Sequence, residues 1–154
     1  MKSQKDSIDF ENSIAPWLGK TVKIVDYFLQ EKLKNNNLDL TKEQLIVLKK
    51  LHDKNGLNQN ELAFLTLRNK SSLTRLLVKM ESKNYITRVQ CACDRRINEV
   101  FLTEKGKEVF KKSRPTISNI MSTVEEGISK KEKKELIRIL KKIQTNLSTN
   151  PDYL

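Results

Sequence analysis

The side chains with the most chemistry to offer in this sequence are hydroxyls, ammoniums and guanidiniums, and they gather between positions 68 and 96. Lys70, Ser71, Ser72, Thr74, Arg75 and Lys79 fall within ten consecutive residues, and Arg95-Arg96 follow in a short polar loop. Over 68–96, eight Lys or Arg stand against only Glu81 and Asp94, a net +6 of the +11 carried by the whole chain. Donors of this kind bond phosphate oxygens and base edges, and such a concentration of cations is the footprint of a polyanionic partner. A second basic run, 129–146, has seven Lys or Arg against Glu132 and Glu135. Its lysines lie opposite a continuous apolar seam and read as a solvated helix face.

Covalent and metal chemistry find less support. Cys91 and Cys93 sit beside Arg95 and Arg96, where a lowered thiol pKa would suit oxidant sensing. Their C-x-C spacing argues against an unstrained disulfide and leaves a metal site two ligands short. His52 is the sole histidine and has no ligand set around it, so a packed, hydrogen-bonded role is expected. The sequence has no Gly-rich phosphate loop and no nucleophile–base–orienter set. No catalytic residue, cofactor or metal is expected.

The segment 58–106 that carries these basic residues reads as two short helices, a hairpin with a basic tip and the start of another helix. Asn58 with Glu61 forms a capping-box pattern. A second helix over 70–83 buries Leu73, Leu76, Leu77 and Met80 at i, i+3, i+4, i+7 spacing. Its opposite face then carries Ser71, Arg75, Val78 and Ser82, flanked by Lys70, Ser72, Thr74 and Lys79. Such a face fits a DNA major groove, with hydroxyls and Arg for base edges and Val78 for a thymine methyl. Strands are expected at 86–90 and 97–102. The loop between them projects Arg95 and Arg96, with Asp94 placed to hold one of them, and an Arg on a narrow ribbon suits a minor groove.

These residues resemble the MarR family of winged helix-turn-helix regulators. Asp94-Arg95-Arg96, then Val100, Leu102-Thr103 and Gly106, are similar to that family's D-x-R…V-x-L-T-x-x-G wing signature, and Lys70-Ser71-Ser72-Leu73-Thr74-Arg75-Leu76 is similar to the start of its recognition helix. The resemblance covers nearly the whole chain. It departs at the turn between the two helices, where the family usually has Gly and this chain has Thr66-Leu67-Arg68-Asn69. It implies a homodimer that binds a pseudo-palindromic double-stranded DNA operator and represses or regulates transcription. It also implies a small effector bound between the dimer and DNA-binding lobes that changes the spacing of the two recognition helices.

The rest of the chain fits that plan. Its 154 residues make one domain or one protomer, and Gly 4 with Pro 3 favours long helices. A first helix is expected over 8–34 with a kink or fresh start at Pro16, carrying Trp17 and Tyr27 as core residues or as the lining of an effector pocket. Thr41 with Gln44 opens a second helix whose inner stripe is Leu45, Leu48 and His52, and Asn55-Gly56 stops it. Thr103 caps a helix bent at Pro115 that serves both lobes. Ser129 with Glu132 caps a last one, whose Leu136, Leu140, Ile143 and Leu147 form a helix-packing seam. Ile137 and Ile139 widen that seam beyond what one chain can bury, which favours a homodimer. The expected fold is α+β and mostly helical: a winged helix-turn-helix lobe at 36–106, with 1–35 and 107–154 as dimerisation helices. No run approaches a membrane span and no signal-peptide core precedes it, so a soluble, cytoplasmic protein is expected. Two alternatives stay open: a sequence-indifferent architectural or protein-docking winged helix, and a thiol-based redox-sensing regulator.

Overall fold

The computed structural model describes residues 8–148. In chain order these form α1 (Ile14–Asn35), α2 (Lys42–Asp53), β1 (Leu57–Asn58), α3 (Gln59–Leu65), α4 (Lys70–Ser82), β2 (Ile86–Gln90), β3 (Asn98–Leu102), α5 (Glu104–Val124) and α6 (Lys130–Leu147). The mostly helical α+β reading holds.

Local capping sets most boundaries. Thr41/Gln44, Asn58/Glu61 and Ser129/Glu132 each form a reciprocal capping box at the start of α2, α3 and α6. Asn69 accepts from the Ser72 N–H to open α4, and Thr103 accepts from the Gly106 N–H to open α5. These bonds satisfy N–H groups that have no partner inside the helix. The first helix starts at Ile14 rather than Ile8, so Pro16 falls in its first turn, where its missing N–H costs nothing. Pro115 lies inside α5, which continues through it. The second helix ends at Asp53, and Gly56, at φ +79°, serves the turn into β1 rather than the helix cap itself.

The sheet has the order β1-β3-β2, antiparallel throughout. Ile86 pairs with Leu102 and Gln90 with Asn98, which defines the wing hairpin. The two-residue β1 was not legible in the sequence. It adds to the other edge of β3 through Leu57↔Val100 and Asn58↔Glu99, and so ties the start of α3 to the wing.

The core runs through the centre of this lobe. Leu48, Leu51, Leu62, Leu73, Leu77, Met80, Ile86 and Val100 are almost fully buried, joined by Leu33 from α1 and Phe110 from α5. The inner stripe of α2 is Gln44, Val47, Leu48 and Leu51. His52 falls at its edge and is exposed, with its ring centroid 4.9 Å from that of Phe110 and Nδ1 3.7 Å from Asp53 Oδ1. The inner-stripe position expected for His52 is therefore replaced by a surface ring contact. Among the described residues no group of His, Cys, Asp and Glu could hold a metal, and no helix is long and apolar enough to cross a membrane.

α6 has no buried residue. Leu136, Ile137 and Leu147 are exposed on it. The amino-terminal half of α1 is similarly bare: Ile14, Trp17, Val22 and Ile24 are all more than half exposed. Between these helices lies an apolar groove of about 540 Å³ lined by Ile14, Trp17, Leu18, Val22, Leu136 and Leu140.

Candidate nucleic-acid interface

The four apolar residues of α4 expected to point inward, Leu73, Leu76, Leu77 and Met80, are its buried set. Its outer face follows directly. Lys70, Ser71, Thr74, Arg75, Val78 and Lys79 are exposed, while Ser72 is half-buried and accepts a bond from Arg68 Nη1 at 2.7 Å. The Ser71 hydroxyl turns back to Asn69 Oδ1 at 3.0 Å and the Thr74 hydroxyl to the Lys70 carbonyl at 2.8 Å, so both retain lone pairs towards solvent.

The turn that positions this helix takes its shape without glycine. Leu67 adopts φ +53°, in the left-handed region, and its side chain is 72% exposed. The Arg68 N–H then donates to the Ala63 carbonyl at 2.9 Å, closing the end of α3. The turn thus takes a left-handed residue with Leu67 where the family usually has Gly.

The wing tip is a turn within a turn. The Cys91 N–H donates to the Ile97 carbonyl at 2.8 Å, and the Ile97 N–H to the Asp94 carbonyl at 3.0 Å. Asp94 Oδ1 accepts the Arg96 backbone N–H at 2.9 Å and Arg96 Nε at 3.3 Å. Asp94 therefore holds Arg96, whose side chain is still 91% exposed. Arg95 projects freely beside it. Cys91 and Cys93, for which the sequence argued against a bridge, are joined as a disulfide with Cα atoms 5.2 Å apart, and no free cysteine remains among the described residues. The bend at 92–93 brings the two Cβ atoms together, which an extended C-x-C segment could not do. Cys91 is 8% exposed and Cys93 lies on the surface.

Cations in this region divide into two sets. Arg68 reaches Glu43 at 3.9 Å, Lys83 reaches Asp39 at 2.8 Å and Arg88 reaches Glu81 at 2.7 Å. These pairs brace the lobe: Lys83 also bonds Gln44 Oε1, and the Tyr85 hydroxyl donates to the Asp39 carbonyl at 2.9 Å. Burial and the Asp39 charge push the Tyr85 phenol up. By contrast Lys70, Arg75, Lys79 and Arg95 have no carboxylate within ion-pair distance among the described residues. Their charge is uncompensated and points outward.

A polar cleft of about 260 Å³ separates α4 from the wing, lined by Gln59, Asn60, Lys70, Thr74, Arg96 and Asn98. Gln59 Oε1 is buried with no hydrogen-bond partner, an acceptor left open in a cleft otherwise rich in donors. Gln59, Asn60 and Asn98 were not singled out from sequence. Their only sequence signal is adjacency to the Asn58 cap and to the second wing strand.

The structure thus brings Lys70, Ser71, Thr74, Arg75 and Lys79 to one helix face, with Arg95 and Arg96 on the adjoining wing. It does not bring Trp17 and Tyr27 together. Trp17 lines the α1/α6 groove, with its indole N–H on the Glu11 carbonyl at 2.7 Å, whereas Tyr27 is 70% exposed further along α1, with its hydroxyl 3.4 Å from Glu31 Oε1.

Comparison with known proteins agrees with this geometry. Residues 40–97 match the model of the MarR family. The uncharacterized HTH-type transcriptional regulator YybA of Bacillus subtilis (strain 168) is 24% identical over 143 residues, covering 93% of this chain and 94% of that protein. BpsR of Bordetella bronchiseptica, whose DNA binding is regulated by 6-hydroxynicotinic acid, superposes with a TM-score of 0.82 at 17% identity over 90% of this chain and 97% of its own. The transcriptional repressor CouR, solved on a 23-mer DNA duplex, gives 0.80 at 20% identity over 86% and 93%. Over 40–97 the chain is similar to the MarR family, and the described chain as a whole has the winged helix-turn-helix fold of these solved structures.

Proposed function

We propose that the chain is a DNA-binding transcriptional regulator that acts as a homodimer on a pseudo-palindromic duplex, most simply as a repressor released by a small ligand. The observation that carries this reading is the set of unpaired cations. Among the described residues Lys70, Arg75 and Lys79 on α4 and Arg95 on the wing have no carboxylate within ion-pair distance, while their neighbours Arg68, Lys83 and Arg88 all do. A surface that leaves its charge uncompensated where a groove-sized helix and a ribbon tip adjoin is suited to phosphates and base edges.

In this reading α4 lies in the major groove. Arg75, Ser71 and Thr74 meet base edges or phosphates, Lys70, Ser72 and Lys79 support the backbone contacts, and Arg95 and Arg96 reach the adjacent minor groove or its phosphates. The lobe at 36–106 reads DNA, and the helices at 1–35 and 107–154 dimerise. The bare faces of α1 and α6 support the second part, since one chain leaves them open to water. The YybA description, the CouR–duplex structure and the ligand-regulated BpsR support regulator, DNA and effector in turn. An effector seated near Trp17 would alter the distance between the two α4 helices. Half-sites lie about one helical turn, roughly 34–36 Å, apart, so a small change would break simultaneous docking.

Selection of bound duplexes from a random pool by the purified chain tests this. An enriched inverted repeat is the expected outcome. Recovery of duplexes with no shared sequence would make it a sequence-indifferent architectural protein, and recovery of none would remove the DNA reading.

A further inference from the structure

The disulfide at the wing tip has no evident part in holding the fold. It encloses a single residue, Ala92, and closing so short a loop removes little chain entropy from the unfolded state. The hairpin beneath it is already held by the β2–β3 register and by the Cys91 N–H on the Ile97 carbonyl. What the bridge does fix is the path from β2 into the 94–97 turn, and that turn bears Arg95 and Arg96. It is also built for exchange. Cys93 is exposed while Cys91 is 8% exposed, so an incoming thiol meets Cys93 first. The Cys93 N–H stands 3.2 Å from Cys91 Sγ, placed to stabilise the thiolate that would leave.

We propose that Cys91–Cys93 is a redox clasp on the wing: closed, it holds the 91–96 loop in the form that presents Arg95 and Arg96, and opened by a dithiol reductant it lets that loop spread and weakens DNA binding. The inference rests on the DNA-binding reading above and names how that surface is regulated. In opening, a reductant thiolate attacks Cys93 Sγ. A new S–S bond forms as the Cys91–Cys93 bond breaks, and the electron pair passes to Cys91 Sγ. The second reductant thiol then displaces Cys93, so the two protons of the dithiol end on the two cysteines and the reductant leaves as a cyclic disulfide. Closure uses a hydroperoxide. One cysteine thiolate attacks its terminal oxygen, the O–O bond breaks and an alcohol departs. The other cysteine then attacks the resulting sulfenic acid sulfur, and the S–S bond forms as the S–O bond breaks and water leaves.

The test uses the full chain in both states, oxidised and reduced with dithiothreitol, each verified by intact mass after alkylation. Both are titrated by fluorescence anisotropy into a duplex recovered by the selection above and into its shuffle. The oxidised form should bind roughly three- to tenfold more tightly, the scale set by ordering one or two long side chains before contact. A hydroperoxide should restore the reduced sample. Cys93→Ser, at an exposed position, should bind like the reduced protein and ignore peroxide. Equal affinities, tighter binding by the reduced form, or a Cys93→Ser chain that binds like the oxidised protein would overturn the clasp alone. Absence of binding in both states would overturn the DNA reading and the clasp with it.

Discussion

Arg88 on β2 donates from Nη2 to Glu81 Oε1 at 2.7 Å, joining the last turn of α4 to the first strand of the wing. The two elements that carry the basic surface are thereby held to each other by a half-buried ion pair. The hydrogen bond from Arg88 and its positive charge lower the Glu81 carboxyl below its ordinary 4.5, burial opposing, and the Arg88 guanidinium is held more firmly protonated. A carboxyl lowered on folding stabilises the native state above its unfolded pKa, and that contribution is lost as pH falls through the lower, folded value. Glu81→Gln should therefore cost up to about 1 kcal/mol at neutral pH, given the pair's solvent access. It should also flatten the decline in stability below pH 4.5. Urea unfolding at several pH values measures both, and an unchanged acid limb would show the pair to be idle.

Gly106 explains the glycine that ends the wing signature. A Cβ there would lie 2.0 Å from the Tyr85 carbonyl oxygen, the same oxygen that accepts the Thr103 N–H at 3.1 Å. Backbone cannot yield as a flexible side chain can. Gly106→Ala should cost about 1–3 kcal/mol, read as a lower unfolding midpoint. A neutral result would mean that α5 can shift away from the α4–β2 corner.

Leu67 is the reverse case, a branched side chain at φ +53° with its surface in water. A non-glycine residue in this region costs about 1–2 kcal/mol, and Asn tolerates it better. Leu67→Asn should raise the thermal midpoint by a few degrees, for a gain of about 0.5–1 kcal/mol. A lower midpoint would indicate that Leu67 packs against a partner.

The open α1/α6 face predicts its own disruption. Leu136 is 50% exposed and faces Trp17 across the groove. Leu136→Asp should move the protein from dimer to monomer in sedimentation while the helical spectrum of the chain is kept. A wild-type chain that is monomeric at micromolar concentration would remove the dimer from the proposal.

What was legible in the sequence was what is local. The capping boxes at Thr41, Asn58 and Ser129 need only three-residue spacing, and the α4 stripe needs only one helix, so the outward face of Ser71, Thr74 and Arg75 followed from them. What was hidden depends on partners far along the chain. β1 exists because Leu57 meets Val100, and no two-residue pattern announces that. His52 was read one position too far into the α2 stripe, which turns outward after Leu51. The division of cations into braced and free sets hangs on Asp39, Glu43 and Glu81, so total charge located the surface without saying which side chains were available. The wing disulfide required the bend at 92–93, which residue spacing does not reveal.

The measurement that bears most directly on the central claim is the affinity of wild-type and Arg75→Ala protein for the selected duplex and its shuffle across a salt series. The account predicts tight, salt-sensitive binding by the wild type to the selected duplex alone. Arg75→Ala should lose about 1–3 kcal/mol of that preference if the side chain reads a base, or lower the salt slope by about one unit if it holds a phosphate. Equal binding of both duplexes by the wild type, or an Arg75→Ala protein unchanged in preference and in slope, would contradict it.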